Sequence, residues 1–341
     1  MKSICFPLSG NETPKTLNFA INIITSIKNF DVMVCLHTKN EPVQELLKKH
    51  HIKCDVLDIE HKIFPKENFI KNFFISYISS PRIFSYLMEN KPSIVHSFDI
   101  SASIMWNSAS RMSGQKIVLS QSTKWDYSYF IKTMASTSDK IISPSKNYAA
   151  SLPSTSHQKV VIMYPFMKWI NDDFNLKEKL NICDNSSMVF AISSSDKSKI
   201  VSLGERLNGI FNKKIFLVMN SKKPFELKDS DIEIVGMPYA SYPNGADAFI
   251  VYDDDCDIYE DVKSAFHYKV PVFAIRNSIT LEFIEDGETG FLINSTQPDA
   301  IAEKISSLWD LRSQTTEIAC KDTPSLLKNY VNELEKIYEN L

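Results

Sequence analysis

Glycine is scarce in this sequence, at 8 of 341 residues. Loops that cradle phosphate ordinarily need glycine so that the backbone can approach closely, and few positions here can serve that purpose. Cysteine is no richer: six residues fall at 5, 35, 54, 183, 256 and 320, with no close pair. That spacing excludes a zinc cluster or a Cys-x-x-Cys redox motif and fits reduced thiols in a cytosolic protein. No apolar run approaches the roughly 20 residues of a membrane-spanning helix. The opening MKSICFPLSGNETPK turns polar after one short apolar strand, so no secretory signal is expected. There is no basic stripe of the strength that nucleic acid requires, and no repeat or low-complexity tract.

What is present is ordinary soluble-protein chemistry, 43% apolar and 23% charged. The length suits two domains of roughly 150 residues each. The net charge of -3 conceals an asymmetry. Up to Pro165 there are 19 Lys+Arg against 12 Asp+Glu, and from Phe166 onward 19 against 29. A basic first half suits an anionic surface or acceptor; an acidic second half suits a phosphate-bearing ligand poorly.

Strand and helix patterns alternate throughout. In the first half, strands are expected at Ile4–Leu8, Val32–Leu36, Cys54–Leu57, Ser93–His96, Lys116–Ser120, Lys140–Ser143 and Val160–Met163. Leu17, Ala20, Ile21, Ile24 and Ile27 mark the buried face of an early helix. Phe69–Met88 reads as a helix broken near Pro81. The segment 164–187 has no clean period. Beyond it strands recur at Met188–Ile192, Lys214–Met219 and Ile232–Val235, and helices at Pro298–Leu311 and Ser325–Leu341. The expected fold class is α/β, two tandem Rossmann-like domains with a C-terminal helix packing back across the junction. The domains are drawn at 1–165, a linker at 166–187, 188–322, and a crossing helix at 323–341.

The stretch from Ala246 to Asn294 organises the second half. A strand at Ala248–Tyr252 runs into the acidic loop Asp253-Asp254-Asp255-Cys256-Asp257. A helix, a strand at Val270–Ile275, a short helix near Leu281–Ile284 and a strand at Gly290–Ile293 follow. Parallel sheets bind ligands at the carboxyl ends of their strands, so a donor site is expected on these loops.

Several motifs resemble the family-4 retaining glycosyltransferases, which have the GT-B architecture. Ala246-Asp247 matches that family's "AD", and Pro271-Val272 its "PV" 25 positions on. Glu282, Glu285-Asp286-Gly287 and Thr289-Gly290-Phe291-Leu292 match its "E…EDG.TG.L". In the first half Ile94-Val95-His96 and Asp139–Ser145 match "DIVH" and "AD.II..S". The resemblance implies an N-terminal acceptor domain, a C-terminal donor domain, and transfer of a sugar from a nucleotide-sugar to a cell-envelope or surface glycan. It implies no metal and no cofactor besides the nucleotide-sugar co-substrate.

The residues that the family uses for chemistry are altered. Its two glutamates, eight positions apart, fall on Cys256 and Ser264. Its Gly-Gly after the next strand falls on Ser278-Ile279, and its Gly-Arg on Ser193-Ser194. One reading has neighbours substitute: Asp257 or Glu260 meets the sugar, Ser264 a ribose hydroxyl, and Lys197 or Arg276 the phosphate. Gly10-Asn11 would approach donor and acceptor, His96 would face the cleft, and Glu282 would keep the family's place. A second reading is a catalytically inactive GT-B subunit that stabilises or directs a partner glycosyltransferase. A third takes Asp253–Asp255 as a metal-bridging DxD, but a whole Rossmann-like half precedes it where none should. The aromatic and basic segment from His61 to Lys91 also suits peripheral contact with an anionic membrane bearing lipid-linked acceptors. The alternative for this segment is an ordinary buried helix with a solvated face; the expected location is cytoplasmic, with peripheral contact at the inner face of the plasma membrane on the first reading.

Overall fold

The computed structural model describes residues 2–10, 12, 14–59, 69–121, 129–163, 175–182, 186–193, 196–220, 225–228, 231–237, 243–252, 258–319 and 326–341. The chain divides into two units, Met1–Met167 with Leu327–Leu341, and Lys168–Leu326.

The first unit begins β1 (Ser3–Leu8), α1 (Pro14–Ser26), β2 (Asp31–Leu36), α2 (Glu41–Lys49), β3 (Cys54–Val56) and α3 (Phe69–Asn90). It continues β4 (Ile94–Ser97), α4 (Ile100–Met112), β5 (Lys116–Ser120), α5 (Tyr129–Thr137), β6 (Lys140–Ser143), α6 (Lys146–Ala150) and β7 (Val160–Ile162). Its seven strands lie in the order β3-β2-β1-β4-β5-β6-β7, all parallel. Apolar side chains cover both faces of this sheet: Ile4, Phe6, Leu8 and Leu36 on one, Cys5, Cys35, Val95 and Leu119 on the other. Such two-sided burial explains why these strands read as apolar runs rather than alternating patterns. Burial also pushes the Cys5 and Cys35 thiols up, as expected of inert core cysteines.

The second unit contains α7 (Leu176–Lys179), β8 (Ser187–Ser193), α8 (Lys197–Phe211), β9 (Lys214–Asn220), β10 (Phe225–Lys228), β11 (Ile232–Met237) and β12 (Ala248–Val251). It is completed by α9 (Ile258–His267), β13 (Val272–Ile275), β14 (Phe291–Ile293), α10 (Pro298–Ser307) and α11 (Arg312–Ala319). Its sheet runs β10-β11-β9-β8-β12-β13-β14 and is parallel except for the edge pair β10–β11. Two parallel α/β sheets of this kind are the GT-B plan.

Three features differ from the sequence expectation. Helix α3 runs unbroken through Pro81. Pro81 and Tyr77 both lie on the exposed face, so the Tyr77 carbonyl released by the missing N–H turns toward water rather than the core. The antiparallel strand β10 was not foreseen, because four residues with two charges give too short a signal. The helix expected over Pro298–Leu311 ends at Ser307, and α11 is a separate element.

The last helix, α12 (Leu326–Glu339), packs on the first unit. Tyr330, Val331, Leu334 and Tyr338 enter the core beside β1 and α1. Tyr330 meets Phe19 edge-on and Tyr338 meets Phe30 edge-on, at 5.6 and 5.5 Å between centroids. Glu335 is buried and clamps the turn after α1. Its carboxylate accepts from the N–H of Lys28 and Asn29 at 2.8 and 3.0 Å and from Asn29 Nδ2 at 2.7 Å. Glu335→Ala strands these three donors, so unfolding stability should fall by about 2–4 kcal/mol in urea titration. A loss under about 0.5 kcal/mol would show that water replaces the clamp.

Candidate active site

The aspartates and glycines on which the sequence resemblance rested are held by backbone hydrogen bonds. Asp247, before β12, accepts from the Val189 N–H at 2.8 Å and pairs with Lys177 at 2.6 Å. Asp139, before β6, does the same with the Ile117 N–H at 2.9 Å and Lys116 at 3.1 Å. Each aspartate thus fixes the start of one strand against its neighbour. Asp286 accepts from the Leu292 N–H at 2.8 Å, and Gly287, at φ +82°, closes the turn onto Gly290. The matching residues are those that build the frame.

The loops that would meet a donor are occupied by the chain's own groups. At the N-terminus of α8 the Asp196 carboxylate accepts from the N–H of Ser198 and Lys199 and from the Ser198 hydroxyl at 2.7 Å. These bonds hold its carboxyl below the usual range. A diphosphate would seek the same helix end. After β13, Asn277 Oδ1 accepts from the N–H of Ile279 and Thr280 at 2.8 and 2.9 Å. Ile279 is buried and Ser278 exposed. Arg276 is tied to Asp286 at 2.6 Å and to Asn294 at 2.8 Å. Ser193 ends β8, its carbonyl accepting from the Tyr252 N–H at 3.0 Å. Ser264 lies buried in α9, and Glu282 is half-buried in a turn after β13. Asn11, Ser194, Cys256, Asp257 and the aspartates 253–255 lie outside the described residues, as do the side chains of Lys197 and Glu260.

His96 does not face a cleft. Its ring is fully buried, with Nδ1 paired to the Tyr338 hydroxyl and Nε2 to the Ser120 hydroxyl at 2.8 Å. Burial lowers its pKa to about 3, so the ring is neutral and ties β4 and β5 to α12. Gln121, just after β5, is also buried and hydrogen-bonded, to Tyr148, Ser151 and Ser143.

A second group of residues, of which the sequence reading named Gly10 but not Glu12, His37 or Asp99, gathers at the carboxyl ends of β1 and β4. Gly10 follows β1 at φ +80°, and a Cβ there would stand 2.7 Å from Thr38 Oγ1. Only glycine suits both demands. The N–H groups of Ser9 and Gly10 are taken by the two oxygens of Glu12, the latter at 3.0 Å. Asp99 caps α4 through Oδ1, accepting from the Ala102 N–H at 2.9 Å. Its Oδ2 is buried without a donor, and its carboxyl abuts that of Glu12. Burial, then the Glu12 charge, pushes the Asp99 carboxyl well above the ordinary carboxylate range. One strand away, His37 is 3% exposed and neither ring nitrogen has a partner. Among the described residues no His, Cys, Asp and Glu cluster could hold a metal ion.

Compared with solved structures, the chain has the fold of GT-B proteins. It matches Anabaena Alr3699/HepE in complex with UDP and glucose at TM-score 0.75 and 13% identity, over 100% of both chains. A glycosyltransferase from Rickettsia africae matches at 0.76 and 15%, covering 99% of this chain and 98% of that one. A UDP-GlcNAc 2-epimerase from Neisseria meningitidis bound to UDP-GlcNAc matches at 0.67 and 13%, over 100% of both. No protein-family model matches the chain, and no curated protein sequence does.

The Asp99 shift has a definite sign. The folded state holds a proton that the unfolded chain releases near pH 4, so this contribution declines as pH rises from there toward the raised folded value. His37 and His96, lowered by burial to about 4 and about 3, act oppositely and cost stability as pH falls below about 6.5. Asp99→Asn keeps the cap and removes the first effect alone. The melting temperature of the variant relative to wild type should rise with pH above about 4. A difference independent of pH would show an ordinary aspartate.

Proposed function

We propose that this chain is a glycosyltransferase related to the family-4 retaining enzymes, moving a sugar from a nucleotide-sugar to a cell-envelope or surface glycan, with no metal. The observation that carries this reading is the end-to-end match to HepE, a structure whose complex contains UDP and glucose. Strands β8, β12 and β13 are parallel neighbours, so their carboxyl ends share one edge of the second sheet, the edge at which open parallel sheets take ligands. On this reading Asp257 or Glu260 meets the sugar, Lys197 the phosphate and Glu282 the family's usual partner. Transfer then rests on donors aimed at the departing diphosphate, whose negative charge grows as the bond breaks.

One observation favours the second reading, an inactive partner of an active glycosyltransferase. The Asp196 carboxylate already holds the N–H groups of α8, and the Asn277 side chain those after β13. Titration calorimetry and melting curves with UDP, GDP and UDP-glucose separate the two. An enzyme gives saturable binding and a rising melting temperature. No effect at millimolar nucleotide sinks the enzyme reading. Asp196→Ser keeps a helix cap without its charge; if diphosphate docks there, affinity should rise roughly tenfold.

The first unit's basic balance and the exposed Tyr77, Ile78 and Met88 of α3 support peripheral seating on an anionic membrane, on the cytoplasmic face. Among the described residues no helix is long and apolar enough to cross one. Sedimentation with phosphatidylserine vesicles should be strong at low salt and fall as salt is raised. Failure to sediment at low salt rejects the idea.

A further inference from the structure

The strands of the first sheet are parallel, so they begin at one edge, and the helices that return the chain end there. That amino-end edge gathers the unit's cations. Lys48 and Lys49 close α2, Lys53 precedes β3, Lys91 follows α3 and Lys116 opens β5, all of them exposed. Residues 48–53 alone hold three lysines and two histidines with no acidic residue. Against these cations stand Asp31, Glu89, Asp139 and Glu339, and Asp139 is already paired with Lys116. At the opposite edge Lys39 and Lys146 are offset by Glu12, Glu41 and Asp99.

A helix end favours a nearby cation, which accounts for Lys48, Lys49 and Arg111 in the last turns of α2 and α4. It does not account for Lys2, Lys53, Lys116 and Lys140, which stand where strands begin. Nor does the plan of the fold require them, since in the second unit Asp231 and Asp247 precede β11 and β12. Apolar side chains stand out of the same edge. Met112, ending α4 beside Arg111, is 74% exposed, and Met88, in the last turn of α3 before Lys91, is 47% exposed. The edge is also broad: seven strands at about 4.8 Å spacing span roughly 29 Å. That width, with flexible apolar side chains among cations, suits an extended anionic surface with an apolar layer beneath it better than a single anion or a peptide.

We propose that the amino-end edge of the first sheet is the face that seats this protein on an anionic lipid bilayer. This deepens the membrane reading and rests on it. The lysines settle on anionic headgroups, while Met88 and Met112 enter the boundary with the acyl chains. The carboxyl ends of the first unit's strands then face away from the lipid. With six residues in β1, they stand about 20 Å from the seated edge. Tyr77 and Ile78 lie roughly 15 Å back along α3 from Met88, so seating through them would lay the unit on its side.

The test sediments the full chain at low salt with phosphatidylcholine vesicles, with and without phosphatidylserine. A variant carrying Lys48→Gln, Lys49→Gln and Lys53→Gln should bind the anionic vesicles roughly a hundredfold more weakly than wild type. Lys39→Gln with Lys146→Gln, at the opposite edge, should stay within about twofold of wild type. Met112→Ser should weaken binding several-fold and leave its salt dependence intact. Melting curves close to that of wild type check that each variant is folded. An edge variant no weaker than the opposite-edge variant overturns the seat alone, as does loss of binding through Tyr77→Ser with Ile78→Ser instead. Wild type that ignores anionic vesicles at low salt overturns the seat together with the membrane reading. If wild type then binds fluorescent polyglutamate through the same three lysines, the edge takes an acidic protein and the lipid proposal falls.

Discussion

Backbone N–H groups at the ends of strands and helices must find acceptors once they leave water, and this chain supplies many of those acceptors as carboxylates. Asp139 and Asp247 hold the neighbouring strand where β6 and β12 begin, and Asp286 holds β14. Glu335 holds the turn after α1, Glu12 the loop after β1, and Asp196 the start of α8. A hydrogen bond from N–H to a charged oxygen is shorter and stronger than one to a neutral oxygen. The frame of both units depends on this single kind of bond. With glycine so scarce, side chains close the turns and loop ends in this chain.

The same habit bears on function. A loop whose N–H groups already face a carboxylate offers less to a diphosphate, because the incoming anion must displace a tethered one of like charge. At α8 the occupant is Asp196, and after β13 the neutral Asn277 plays the part. In the first unit the occupant of the loop after β1 is Glu12, which takes the Ser9 and Gly10 N–H groups.

How much of this was legible in the sequence depends on the range of the signal. The alternation of apolar runs and helical stripes spans whole elements, so thirteen strands and their order of appearance could be read, while the four-residue β10 could not. Asp247, Asp286 and Gly290 were visible as motifs, but their spacing alone did not tell whether they bind a ligand or the backbone. His96 stood at a suggestive strand end, and only the return of Tyr338 from over two hundred residues away shows the ring closed off within the fold. Glu12 and Asp99 follow strands β1 and β4, which are distant in sequence, so their nearness was not legible. Asp196 was accessible in principle, since an aspartate just before an apolar-periodic helix is a standard cap.

The membership of α12 in the first unit has a consequence for how the chain comes into being. Residues 327–341 emerge from the ribosome only after the whole of the second unit. The second unit is one continuous stretch and can close while synthesis proceeds; the first must wait with the Phe19, Phe30 and His96 side of its sheet uncovered. Folding order is thereby reversed relative to the usual N-terminal-first sequence. The half that is made first is finished last, and during that interval its apolar face is what chaperones would find.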